Sequence, residues 1–246
     1  MGERVELQIP GSDATLGVIR HGHYGRPVLV FPSEAGRAED FANNGMLEAV
    51  ADLVDAGRVS FFCVDSLDKF SWSAYDQPTE ERARRHRIYH AWLEQAVVPH
   101  IAWEMGGWQR NIITFGVSLG AFHAANFTLQ RSDIAPLSIS LSGSYDPTGW
   151  RPWGEVGEAT YFANPPAYVA GAHGDHQDAG SRQGDRPQGR LIESAEHRAA
   201  RDLADCRPEA RIVERVGSRS GRLCRPCRQG TRRRARSGLD QDGSTQ

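Results

Sequence analysis

The positions of the aromatic residues limit where this chain can build a hydrophobic core. All 21 aromatic side chains fall at or before Tyr168, and the last 78 residues contain none. Because large apolar side chains bury most of the surface in a core, we expect a core only within about the first 170 residues. The charges divide at the same place, with a net charge of −7 over residues 1–170 and of +5 over residues 171–246. We therefore predict a globular domain over 1–170 and an arginine- and glycine-rich, largely irregular tail over 171–246.

Composition excludes several classes of protein. No apolar run approaches the roughly 20 residues that a membrane-spanning helix needs, and residues 1–13 lack the basic and apolar segments of a secretory signal. The four cysteines are too few and too unevenly spaced for a disulfide framework. The overall net charge of −2 favours no polyanionic partner. We therefore expect a cytoplasmic protein without a membrane or nucleic-acid partner.

Within the first 170 residues, short β-branched or aromatic runs alternate with longer amphipathic segments. Buried strands are predicted at residues 27–31, 59–64, 111–115 and 137–141, and helices at residues 45–56, 79–99 and 119–131. Leu53 and Ile88 fall on the apolar stripes of the first two helices, and Pro99 should end or kink the second. This alternation predicts an α/β fold, with a mostly parallel sheet covered by helices on both faces.

A G-x-S-x-G motif lies between the third predicted strand and the third helix, and it is the pentapeptide from Gly116 to Gly120. A strand that turns at once into a helix strains the backbone of Ser118, and side chains two residues on either side would collide, so both positions require glycine. The turn exposes the Ser118 hydroxyl at the helix N-terminus, and the N–H of Leu119 points to where an oxyanion would form. The bare pattern also arises by chance or as a helix cap, but its position between strand and helix favours a nucleophilic serine.

The segments Phe115–Phe127 and Ser140–Asp146 resemble the esterase family of α/β-hydrolases that includes esterase D-like enzymes and the antigen 85 mycolyltransferases. The segments Phe31–Ser33 and Tyr161–Pro165 are similar to it too, and the resemblance covers about residues 15–170. It implies an α/β-hydrolase fold and the hydrolysis of small-molecule carboxylic esters, or acyl transfer. It also implies catalysis by a serine, an acid and a histidine, with no metal and no organic cofactor.

The same resemblance implies a second oxyanion donor in the loop after the first central strand. The backbone N–H of Ser33 or of Glu34 is the candidate, and we select Ser33. His123 lies five residues after the nucleophile on a helix, which turns it away from the hydroxyl and predicts a packed residue. Asp146 follows a predicted strand, and we interpret it as a residue that organises its loop, since the family takes its acid after the next strand.

The acid and the histidine of such a triad are expected beyond about residue 175, after further strands. The sequence there has no apolar alternation, so we expect the sheet to lack its last strands and to expose an apolar edge, which would favour self-association. Three histidines follow the elbow in the required chain order, His173, His176 and His197, and His176 is the candidate among them because Asp175 and Asp178 lie beside it. The acid is unassigned. The C-x-x-C at Cys224 lacks a second pair at zinc spacing, and the arginine run at 232–236 lacks aromatic residues that could stack on bases.

The arginine usage suggests why the tail departs from the family pattern. Sixteen of the 28 arginines fall in residues 171–246, and Lys69 is the single lysine, as in coding DNA rich in G and C. We hypothesise that the reading frame changes shortly after residue 170, which translation of the other two frames would test. Two functions are favoured: a serine esterase or acyltransferase, and a catalytically incomplete hydrolase-like protein whose acid and histidine were lost with an altered C-terminus. A third hypothesis makes the basic tail a nucleic-acid-binding arm on a hydrolase-like scaffold, and we favour it less.

Overall fold

A mixed β-sheet forms the centre of the molecule. The computed structural model describes residues 2–107, 111–150, 153–171 and 211–215. The strands in these residues are β1 (Arg4–Gln8), β2 (Thr15–His21), β3 (Arg26–Phe31), β4 (Val59–Val64), β5 (Ile113–Val117), β6 (Leu137–Leu141) and β7 (Arg211–Arg215). Their order across the sheet is β1-β2-β4-β3-β5-β6-β7. β2 is antiparallel to both of its neighbours, and the other five strands, β4, β3, β5, β6 and β7, are parallel to one another.

The central strands are buried on both faces, as the sequence predicts. In β3, Leu29 and Phe31 pack into the core on one face of the sheet, and Val28 and Val30 pack into the core on the other. Consecutive side chains of a strand point to opposite faces, so a sheet that is covered twice needs a nearly continuous apolar run. β5 begins two residues later than predicted, because Asn111 has a φ of 88° and is not extended.

Helices cover both faces of this sheet. The helices in the described residues are α1 (Asp40–Asn43), α2 (Met46–Ala49), α3 (Ala51–Asp55), α4 (Thr79–Trp92), α5 (Val98–Glu104), α6 (Leu119–Gln130), α7 (Glu158–Phe162) and α8 (Pro165–Gly171). α4, α5 and α6 contribute to the core that contains Phe31, and α1 to α3 contribute to the core on the opposite face. The predicted α/β arrangement is therefore confirmed. None of these helices is long and apolar enough to cross a membrane.

Two predicted helices differ in detail from the structure. The helix predicted over residues 45–56 is divided at Val50, whose φ of −118° is outside the helical range, and Leu53 is 44% exposed. Pro99 does not end the second helix, because a π turn at Leu93–Val97 joins α4 to α5 and leaves the proline in the first turn of α5. The π turn ends just before the proline, which has no N–H to donate to the preceding turn.

The apolar stripe predicted for the second helix is correct only in part. Trp92 and Val97 are buried in the core as predicted. Ile88 is 45% exposed, although it belongs to the predicted apolar stripe. The face that packs inward is largely polar and aromatic, and its buried members are Thr79, Arg82, Ala83, His86, Tyr89, His90 and Trp92. A pattern of apolar residues cannot identify such a face, because its polar groups are buried only through partners distant in sequence.

One strand lies in the region that the sequence predicts to be irregular. β7 pairs in parallel with β6, with Leu137 opposite Arg211 and Leu141 opposite Arg215. The expectation of a tail without strands is wrong over these five residues, and the outer strand on this side of the sheet is β7 instead of β6. Without β7, the edge of β6 would present unpaired backbone N–H and C=O groups. A segment without a strong apolar pattern can pair with them, because the hydrogen bonds are between main-chain groups.

Candidate active site

Ser118 occupies a strained turn between β5 and α6. Its φ of 58° and ψ of −122° are sparsely populated for a residue with a side chain. The backbone on both sides holds the turn: the N–H of Ser118 donates to Leu141 O at 3.0 Å, and Ser118 O accepts from Ala121 N at 3.0 Å. Strain of this kind persists where the surrounding structure fixes it, and it places the hydroxyl at the N-terminus of a 12-residue helix.

The two glycines of the motif are required by close packing around this turn. A Cβ atom on Gly120 would lie 2.5 Å from Phe31 O at the end of β3. A Cβ atom on Gly116 would overlap Gly120 O, so the strand and the helix could not meet at their present distance. The elbow is thus held against the end of β3, which brings the loop after β3 beside Ser118.

A cavity of about 250 Å³ opens at the elbow. It is lined by Glu34, Trp72, Tyr75, Arg82, Ser118, Leu119, Ser142, Ser144 and Trp150. The structure therefore brings Ser118 and Leu119 together with the loop after β3. Both proposed second donors are exposed, but only Glu34 lines the cavity. Ser33 lies one residue earlier, and its carbonyl accepts from Gly36 N at 2.9 Å.

Most of the cavity wall was not predicted from the sequence. Trp72 and Arg82 belong to the segment between β4 and the first turns of α4, and both are almost completely buried. The guanidinium of Arg82 lies 5.7 Å from the centre of the Trp72 ring and donates to Trp72 O at 2.6 Å. Trp150 closes the other side, where its Nε1–H donates to Ser144 Oγ at 3.2 Å. Only the folded chain reveals that these segments meet.

Two opposite charges face this cavity, on Glu34 and Arg82. Glu34 Oε1 accepts from Ser73 Oγ at 2.6 Å and from the Tyr75 hydroxyl at 2.7 Å. The hydrogen bond from Tyr75 to Glu34 raises the pKa of Tyr75. Within the part of the chain that the structure describes, no histidine and no aspartate line the cavity. His176 lies outside the described residues.

The structure confirms the expectations for two other polar residues. His123 is completely buried in α6, and its Nε2 lies 2.9 Å from Asp68 Oδ1, so it does not face the cavity. Asp146 organises its loop, because its Oδ1 accepts from Thr148 N at 3.0 Å and from Thr148 Oγ1 at 2.6 Å.

Three buried histidines form a cluster between α4 and α6. The rings of His86 and His90 are 4.8 Å apart, and those of His86 and His123 are 5.2 Å apart. Asn126 Nδ2 lies 3.1 Å from His86 Nε2 and 3.3 Å from His90 Nε2, so both ring nitrogens accept. Burial lowers the pKa of both rings, that of His90 to about 3. Across the described residues, no group of three or more His, Cys, Asp or Glu is arranged to hold a metal ion.

Comparison with known proteins identifies the fold. No family profile and no curated protein matches the sequence. A ferulic acid esterase matches with a TM-score of 0.56 and 11% identity, over 88% of this chain and 91% of that one. MPT51 of Mycobacterium tuberculosis matches with a TM-score of 0.59 and 12% identity, over 89% and 90%. S-formylglutathione hydrolase of Staphylococcus aureus matches with a TM-score of 0.57 and 12% identity, over 88% of each chain. The chain therefore has the α/β-hydrolase fold, as the resemblance predicts.

Proposed function

We propose that this protein is a serine hydrolase or acyltransferase that acts on small carboxylic esters through Ser118. The observation that carries the proposal is the strained Ser118 backbone, which presents the hydroxyl at a helix N-terminus inside a cavity. The similarity in fold to a ferulic acid esterase and to S-formylglutathione hydrolase supports it.

The proposed chemistry is acyl transfer in two stages. Ser118 Oγ loses its proton to a base and attacks the ester carbonyl carbon, and the resulting oxyanion accepts from Leu119 N–H and from the N–H of Ser33 or Glu34. Collapse of this intermediate expels the alcohol, which takes up the proton, and leaves an acyl group on Ser118. Water then releases the acid, or a second alcohol takes the acyl group. The base is unassigned: His173, His176 and His197 all follow the nucleophile in the required chain order, and His176, beside Asp175 and Asp178, is the candidate among them.

The test is turnover combined with covalent labelling. Purified protein is incubated with p-nitrophenyl acetate and, separately, with a fluorophosphonate probe, and the labelled peptide is identified by mass spectrometry. We expect Ser118→Ala to lower kcat by about 10³-fold or more and to abolish labelling, because the nucleophile itself is removed. Ser12→Ala, which changes an exposed serine far from the motif, is the matched control. Labelling that persists in Ser118→Ala would refute the assignment.

A second candidate is a hydrolase-like protein without a complete triad. It is favoured by the cavity lining, which has no histidine or aspartate among the described residues. In this proposal the tail over 171–246 results from a changed reading frame, and the acid and the histidine were lost with it. A folded wild-type protein that neither turns over the ester nor reacts with the probe would support this candidate. Concentration-dependent sedimentation would test the self-association that we propose for the edge of the sheet.

A further inference from the structure

A buried carboxylate joins the loop after β3 to the helix of the elbow. Asp68 begins the 3-10 turn Asp68–Phe70, and its side chain is 1% exposed. Its Oδ2 accepts from Ala35 N at 3.1 Å, and its Oδ1 lies 2.9 Å from His123 Nε2. Because a carboxylate only accepts, Nε2 carries the hydrogen and donates it. Each oxygen of Asp68 thus holds a different side of the site.

The first oxygen fixes a strained segment of the loop. Ala35 has a φ of 54°, in the left-handed region that residues with a Cβ atom seldom adopt. The two candidate donors immediately precede Ala35 in the chain. Glu34 lines the cavity, and Ser33 comes before it. A hydrogen bond to a charged acceptor is about twice as strong as one to a neutral acceptor, so Asp68 stabilises this conformation. We expect the directions of the Ser33 and Glu34 N–H groups to depend on this conformation of Ala35.

The second oxygen fixes the helix. His123 lies in the second turn of α6, and the first turn of α6 carries Leu119 N–H. Its ring also packs against those of Phe31, Tyr89 and Phe122. Because one turn of a helix holds the next at a fixed distance, anchoring His123 to Asp68 also anchors the N-terminus of α6.

We propose that Asp68 and His123 form a positioning pair that sets the separation between the two halves of the oxyanion hole. One half is Leu119 N–H, and the other is the N–H of Ser33 or Glu34. This inference rests on the proposed function, since it assigns a role within the same site. Neither member of the pair lines the cavity, so the pair acts through backbone groups and not on the substrate.

The test compares two substitutions of the same residue. Asp68→Ala removes both hydrogen bonds, whereas Asp68→Asn accepts from Ala35 N through Oδ1 and donates through Nδ2 to the other tautomer of His123. We expect Asp68→Ala to lower kcat for p-nitrophenyl acetate by about 10- to 100-fold with KM changed by less than about threefold, because one oxyanion donor is misplaced. Asp68→Asn should stay within about threefold of wild type. Equal losses in both variants, or a loss in KM alone, would overturn the proposal.

Hydrogen exchange measures the same effect without turnover. We expect the amide hydrogens of the peptide over residues 32–37 to exchange at least about tenfold faster in Asp68→Ala than in wild type, and at the wild-type rate in Asp68→Asn. Thr128→Val removes another buried hydrogen bond of α6, to Thr114 Oγ1 at 2.7 Å, and controls for general loosening. Should Asp68→Ala fail to fold, His123→Phe, which keeps the ring and removes the donor, replaces it. Unchanged exchange of this loop in Asp68→Ala would refute the pair. If the loop exchanges faster in Asp68→Ala but the wild-type protein has no esterase activity, only the proposed function is refuted.

Discussion

Protonation of His90 is expected to make the domain less stable between pH 7 and pH 5. His90 is buried on α4, where it contacts His86 of the same helix and Asn126 and Phe127 of α6. Burial, with a smaller contribution from His123, lowers its pKa from 6.5 to about 3. The neutral ring is therefore the form that the folded protein accommodates.

The size of the effect follows from the two pKa values of His90. The unfolded chain takes up a proton near pH 6.5, whereas the folded protein does so only near pH 3. Stability is therefore complete above the unfolded value and falls as the pH decreases towards the folded value. Integrated from pH 7 to pH 5, this histidine alone removes about 2 kcal/mol from the free energy of unfolding. His86, whose pKa burial also lowers, acts in the same direction.

Urea unfolding at pH 7, 6 and 5 measures this change. His90→Gln keeps an acceptor for Asn126 but does not titrate, so its free energy of unfolding should fall by about 2 kcal/mol less than that of wild type over this range. His23→Gln removes an exposed histidine and is the matched control. The carboxyl groups of Asp65 and Glu80, whose pKa values are lowered from 3.8 and 4.5, lose their contributions below this range. Identical pH dependence in wild type and His90→Gln would refute the argument.

Two further substitutions test the packing that holds the site. Gly120→Ala places a Cβ atom 2.5 Å from a carbonyl oxygen at the end of β3, so it should cost about 3 kcal/mol in urea unfolding and abolish labelling by the probe. Gly149→Ala, which meets no atom within 4 Å, should do neither, and a stable, reactive Gly120→Ala would contradict the structure. Asp65→Ala removes an acceptor that holds Arg4 and two backbone N–H groups, and should cost about 3 kcal/mol. Asp52→Ala, at an exposed carboxylate, is its control, and an equal effect of the two would contradict this role.

The elements predicted correctly are those that local chemistry determines. β3 and β4 are apolar runs whose alternate residues pack into two cores. The elbow needs glycine two residues before and two residues after Ser118, and this spacing is visible in the sequence. The packed state of His123 follows from helix geometry alone. Each of these depends on residues within a few positions of one another, so the sequence carries the whole signal.

The features that were missed depend on partners far away in the chain. Arg82 and His86 give α4 a charged appearance in the sequence, yet they are buried by Trp72 and by α6. The contact between Ala35 and Asp68 joins two loops and has no local pattern. β7 has a similar origin, because it is held by main-chain pairing with β6. Burial of polar groups is decided by long-range hydrogen bonds, and hydrophobic periodicity does not register them.

The candidate site has two parts that come from different regions of the chain: the elbow with the proposed oxyanion donors, and the base. Ser118, the proposed oxyanion donors and most of the groups that hold them come from the loop after β3, the turn at Asp68 and the β5–α6 elbow, and Leu141 O at the end of β6 accepts from Ser118 N. In the part of the chain described, no histidine lines the cavity to take the proton of Ser118. An elbow that is strained and held by Asp68 stays prepared for a tetrahedral intermediate whether or not a base is supplied. Reactivity towards a fluorophosphonate needs both the elbow and a base, whereas hydrogen exchange at residues 32–37 reports only the loop after β3. Wild-type protein that is protected in this loop but does not react with the probe would therefore lack the base and not the oxyanion hole.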